Sequence, residues 1–173
     1  NGVELIPNNG EYTLNANDLT NIKISSSEQI LDESGFKINV CATSTESNGG
    51  NIAIKNLNTL FIGDEDNDDT IDFSTAINNK TDIDVVDIKG TNVNTKLKID
   101  IEDLVADTDK ELIIKGEFEG KVDLNDGNDG QKSWENSGTE NLDGSTYNVY
   151  IGTGVNSTVK LLIEDDIEII PDI

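Results

Sequence analysis

Apolar and polar positions alternate through most of this chain, and helical spacing is nearly absent. In KLKIDI, Leu97, Ile99 and Ile101 alternate with Lys96, Lys98 and Asp100, the pattern of a strand with one buried and one wet face. YNVYI repeats it, with Tyr147, Val149 and Ile151 on one side. Such runs, punctuated by Gly, Asn and Asp, predict strands over residues 11–14, 21–25, 36–43, 51–55, 70–73, 83–88, 96–101, 111–115, 121–124, 146–151, 158–163 and 167–170. One short helix is predicted at 101–106, ended by the polar DTDKE. The expected class is all-β, either β-sandwich-like or a stacked β-sheet module, with at most one short helix.

Two regions differ in charge. Residues 1–57 read as a partial β region with few acids, and residues 58–173 as an acidic β module, with one shared core as the alternative. The Gly-, Asn- and Asp-rich stretch 125–144 reads as a long surface loop that holds the only tryptophan, Trp134.

Charge then narrows the function. Asp and Glu number 35 against 12 Lys and Arg, for a formal net charge of −23. So negative a surface repels nucleic acid and anionic lipid, and neither is an expected partner. An apolar content of 34% with this charge borders on the composition of disordered chains. The patterned Ile, Val and Leu argue for a fold all the same, one that a cation tightens. No His is present, which removes the commonest general base and transition-metal ligand. A single cysteine, Cys41, excludes an intramolecular disulfide and a thiolate zinc site. Within FKINVCAT it reads as a buried structural thiol. No stretch approaches the ~20 apolar residues of a membrane span, so no membrane insertion is expected.

Hard oxygen ligands are the chemistry that remains. DEDNDDTIDF sets Asp64, Glu65, Asp66, Asp68, Asp69 and Asp72 close together, and such carboxylates repel unless a cation or open water takes up their charge. Asp64, Asp66 and Asp68 match the opening of an EF-hand loop, but position six is Asp69 rather than Gly and position twelve is Thr75 rather than Glu. The expectation is a different Ca²⁺ loop using Asp64, Asp66, Asp68, Asp69 and Asp72, against a solvated acidic turn. DLNDGNDG offers a second calcium candidate in Asp123, Asn125, Asp126 and Asp129, where glycines allow a tight backbone but are also ordinary turn residues. Acids at 107–111 and 164–166 are weaker candidates. No carboxylate pair is singled out for acid–base work, and no serine has a His partner, so no catalytic residue and no enzyme is expected. Trp134, Tyr147 and Tyr150 read as packing, with a ligand platform as the alternative.

The order of these words resembles the RTX adhesins and related type I-secreted surface proteins of bacteria. Leu14, Asp18, Leu19, Ile22, Ile24, Phe36, Ile38, Val40, Ala42, Thr45 and Glu46 fall where the second half of their immunoglobulin-like repeats has matching residues. From Asp64 on, DDTIDFS, IDVVDIKG, TKLKIDIEDLVADTD, LIIKGEFEGKV and the stretch from Trp134 through GSTYNVY to LLIEDDI are similar to a module near the C-termini of such proteins. The resemblance implies an immunoglobulin-like origin for residues 1–57, and a secreted or cell-surface, calcium-bound, non-catalytic role. One departure stands out. In the register that aligns Asp69 and Ile71 with the nonapeptide GGxGxDxUx, Asp64, Glu65 and Asn67 replace the glycines, so no tandem β-roll is expected.

The expected function is therefore an extracellular, calcium-stabilised spacer or scaffold module whose partners are neighbouring domains of the same polypeptide. A peptide- or glycan-binding adhesin domain and a crystalline surface-layer component are the alternatives.

Overall fold

The computed structural model describes residues 36–45, 52–63, 70–76, 82–89, 95–105, 110–116, 119–124 and 133–170. Among the described residues eleven strands run in order: β1 (Phe36–Thr45), β2 (Ile52–Gly63), β3 (Thr70–Asp72), β4 (Val85–Lys89), β5 (Lys96–Lys98), β6 (Glu111–Lys115), β7 (Lys121–Asp123), β8 (Trp134–Leu142), β9 (Ser145–Gly152), β10 (Lys160–Glu164) and β11 (Glu168–Ile170). They form a seven-stranded sheet, β1-β2-β4-β6-β10-β9-β8, and a four-stranded sheet, β11-β7-β5-β3. The all-β expectation holds.

Chain order and sheet order together give the architecture. β2, β4, β6 and β10 lie in the large sheet, and each is followed by a strand of the small sheet, β3, β5, β7 and β11. Each pair of strands makes one coil, and the coils stack in parallel. Thr59 pairs with Val85, 26 positions on, and Val85 with Ile113, 28 on. In the small sheet Ile71 pairs with Leu97, 26 on, and Leu97 with Val122, 25 on. The fourth coil follows an insertion. The β8–β9 hairpin interrupts the chain, yet β10 still pairs directly with β6, and β9 then pairs with β10.

The alternating pattern explains the stacking. Leu60, Val86, Ile114 and Ile163 form one inward row across the large sheet, and Ile71, Leu97, Val122 and Ile169 the facing row of the small one. Apart from the partly buried Ile169, these residues belong to one buried cluster. Burying each such aliphatic side chain contributes about 1.5–3 kcal/mol. The large sheet is also apolar on its other face, where Val85, Leu162 and Val149 stand in one buried row, as central parallel strands require. At the end of the core the inward row turns polar. The Asn39 side-chain amide donates to Asn58 Oδ1 (2.7 Å), and the Asn58 backbone N–H donates to Asp84 Oδ2 (2.6 Å). Beyond that rung, among the described residues, the distal half of the β1–β2 hairpin pairs only with itself.

Several expectations need correction. A helix, α2, forms at Ile101–Val105 as predicted, but a one-turn helix, α1, adds Phe73–Ala76. It buries Phe73 and Ala76, and four residues are too few for periodicity to show. Trp134 does not lie in a loop; it starts β8 and is 3% exposed, because Asn-Gly-rich composition hid the strand 134–142. Cys41 is exposed rather than buried, since it stands on the edge strand past the polar rung.

Gly116 tests the stack. Its φ is +115°, and a Cβ there would sit 2.4 Å from Ile88 O and 2.6 Å from Asp87 Oδ1 in the neighbouring coil. Gly144, with φ +95°, has open space around it. Gly116→Ala is expected to destabilise by about 3 kcal/mol, strain plus clash, and Gly144→Ala by about 1 kcal/mol. Denaturant midpoints of the two variants check this, and equal losses would show that the coils do not approach closely at Gly116.

Candidate functional site

The outward face of the small sheet collects charge. Because Ile71, Leu97, Val122 and Ile169 point inward, their neighbours along each strand point out. One outward row reads Thr70, Lys96, Lys121 and Glu168, and the next reads Asp72, Lys98, Asp123 and Ile170. Three of the chain's 12 basic residues thus share one small face. Lys121 Nζ lies 2.6 Å from Glu168 Oε1. Lys98 Nζ lies 2.8 Å from Asp100 Oδ2.

Lys98 is the hub of this face. The hydrogen bond to Asp100 raises its pKa, with the charges of Asp72 and Asp103 adding to the effect against the penalty of burial. The Asp100 backbone N–H donates to Asp103 Oδ2 at 3.1 Å, at the start of α2. Burial pushes the Asp103 carboxyl above its ordinary range, and the charges of Asp100 and Asp72 push the same way. The Asp100 hydrogen bond and Lys98 oppose that shift without cancelling it. Lysines here act as fixed counter-ions, placed by strand register between carboxylates that would otherwise repel.

Two predicted calcium ligands belong to this face. Asp72 and Asp123 stand in register on either side of Lys98. Asp72 also caps α1: the Ser74 backbone N–H (2.9 Å) and hydroxyl (2.5 Å) both donate to its Oδ1. Asp64, Asp66, Asp68 and Asp69 lie in the segment joining β2 to β3, outside the described residues. Asn125, Asp126 and Asp129 lie between β7 and β8, also outside them. Among the described residues no group of three or more Asp, Glu, Cys or His is arranged to hold a metal ion. Sequence reasoning missed Lys98, Asp100 and Asp103, although the alternation of KLKIDI already placed Lys98 and Asp100 on the wet face.

The remaining candidates serve the fold. Glu164 accepts from the Gly116 backbone N–H at 3.1 Å, tying the fourth coil to the third. Lys160 meets Glu140 at 2.8 Å and Glu111 at 3.3 Å, mainly raising its own pKa through the Glu140 bond. Trp134 and Tyr147 are buried and Tyr150 packs against the core, so these aromatics act as packing. Burial, then the nearby Glu164 charge, raises the Tyr147 pKa. Among the described residues no helix is long and apolar enough to cross a membrane. Comparison with protein-family models, curated proteins and solved structures returned no match.

Asp103 gives a pH signature. Its pKa in the fold lies above the ordinary aspartate value of 3.8, so the folded chain holds this proton more tightly than the unfolded one. Stability from this group is therefore greatest below that value and falls as pH rises through the folded pKa. Asp103→Asn keeps an acceptor for the Asp100 N–H and removes the charge. Its urea stability measured against pH is expected to lack that decline, matching the parent at low pH and exceeding it at neutral pH. A variant that loses stability at neutral pH would contradict this reading.

Proposed function

We propose that this chain is an extracellular, calcium-stabilised structural module of a large bacterial surface protein, acting as spacer or scaffold rather than as an enzyme. The observation that carries the reading is how unevenly the charge is balanced. Within the coil stack, carboxylates on the small sheet stand beside Lys96, Lys98 and Lys121. The segment that joins β2 to β3 has five acids at positions 64–69 and no base. Such a segment calls for a mobile counter-ion, and an oxygen-only ligand set selects a hard cation such as Ca²⁺.

The order of events follows from concentration. Extracellular modules bind calcium with dissociation constants of roughly 10⁻⁴–10⁻³ M. Calcium near millimolar outside a cell neutralises the acidic segments and ties β2 to β3 and β7 to β8. In a low-calcium cytoplasm the same carboxylates repel, and the chain stays loose enough for export. The in-register coils supply a stiff body, and the resemblance to RTX adhesins supplies the setting.

At ~1 mM calcium each occupied site is expected to add about 0.4–1.4 kcal/mol, or roughly 1–5 °C in Tm. Calorimetry with calcium and with chelator measures this, and Asp66→Asn and Asp126→Asn should each remove part of the gain. A Tm indifferent to chelation would end the proposal.

A further inference from the structure

The connection between β9 and β10 carries a motif that neither the core nor the ion pairs use. Asn156-Ser157-Thr158 fits the acceptor pattern Asn-x-Ser/Thr with no proline at x. The same pattern at Asn79-Lys80-Thr81 lies outside the described residues. Such triplets arise easily in a chain of this composition, so placement has to decide what this one means.

The backbone holds Asn156 at the crown of a closed turn. Lys160 pairs with Ile151, and the Gly152 N–H donates to Val159 O at 3.0 Å, which shuts the neck. A short 3₁₀ helix spans Gly154–Asn156, where the Asn156 N–H donates to Thr153 O at 3.0 Å. Ser157 follows in the right-handed region (φ −61°, ψ −5°), and the Val159 N–H donates back to Asn156 O at 2.8 Å. Residues 156–159 thus make a β-turn with Asn156 in its first position. Gly152 lets that turn close, because a Cβ there would sit 2.4 Å from Asn156 O.

Exposure follows the same boundary. Gly152 and Val159 are buried at the neck, and Val159 belongs to the core cluster. Between them Ser157 and Thr158 are exposed and Asn156 is partly exposed. Val155, the residue before the triplet, is 97% exposed. A bulky, soluble group on Asn156 would therefore project from the fold without displacing the core. A sugar attached there has an apolar neighbour in Val155 for the C–H face of its ring.

We infer that Asn156 is a glycan acceptor, joined through its side-chain amide to a sugar delivered on a phosphate leaving group. A glycosyltransferase carries out the transfer. The Nδ2–C1 bond forms as the bond from C1 to the phosphate oxygen breaks, and that oxygen keeps the electron pair. The donor leaves as a nucleoside diphosphate or a lipid pyrophosphate, and Nδ2 gives up one proton to a base of the transferase. Thr158 supplies the hydroxyl that completes the pattern, which Ser can replace and Ala cannot. Nothing in this step calls on calcium, so its test and the calorimetric one fail independently.

Mass spectrometry of the whole chain, purified from the cells that make it, tests this. Trypsin cuts after Lys132 and Lys160, and the peptide 133–160 has one Asn-x-Ser/Thr triplet. That peptide is expected to be heavier by whole sugar residues, with fragmentation placing them on Asn156. Asn156→Gln and Thr158→Ala should each lose the added mass completely, and Thr158→Ser should keep it. Circular dichroism checks that the variants retain the β fold. The chain made without the modification is then incubated with the soluble fraction of those cells and a nucleotide-activated hexose, or with their membrane fraction. Labelling of Asn156 in the first assigns a nucleotide donor, and in the second a lipid-linked one. An unmodified 133–160 peptide from the producing cells overturns the inference, as does labelling by neither fraction. So does added mass that survives Asn156→Gln or Thr158→Ala, which would place the sugar on another residue or outside this pattern.

Discussion

Everything in this molecule depends on two facing rows of aliphatic side chains that must stay in parallel register. Leu60, Val86, Ile114 and Ile163 meet Ile71, Leu97, Val122 and Ile169 across the space between the sheets. A one-residue slip in any strand would turn its aliphatic row outward and bring in Lys, Asp or Thr. Register then decides the rest. It sends Lys98 between Asp72 and Asp123, closes Gly116 against Ile88, and leaves the acidic segments at the places where the chain passes from sheet to sheet.

The same constraint turns a large net charge into a local problem. On the small sheet every charged side chain has neighbours of opposite sign within the next strand or two, and the exposed pairs there contribute little each but remove repulsion. The acidic linker at 64–69 has no such neighbours in sequence. A fold of this kind tolerates charge where lysines can be interleaved, and five of the excess acids fall together in sequence at 64–69.

Alternation made the strands legible: of the described strands it missed β8 and the second half of β2, predicted to end at 55 but running to Gly63, and located the rest to within a few residues. It could not say which strands are partners. Period-two patterning is the same for a sandwich and for stacked coils, and the recurrence of 25 to 28 residues is carried by two short words per coil rather than by a repeated sentence. β8 escaped because WENSGTENL has polar residues on both faces, as an exposed edge strand can. Cys41 was misplaced because burial depends on where the second sheet ends, which no window of ten residues records. Of the proposed ligands, Asp72 and Asp123 could have been linked through Lys98 had the coil length been known. The rest of the calcium candidates lie outside the described residues.

The β8–β9 insertion bears on how the chain folds. β4 joins β2 across 26 positions and β6 joins β4 across 28, but β10 must find β6 across 49, from Ile113 to Leu162. By loop-closure entropy the longer search adds only about 0.5 kcal/mol over a 28-residue closure, so equilibrium scarcely registers it. Rates register topology more strongly, because non-local pairing must form before it is rewarded. Among the described residues, the β10–β6 pairing is therefore the least local contact in the large sheet. The fourth coil, with the Glu164–Gly116 bond, arrives as the latch that shuts the stack.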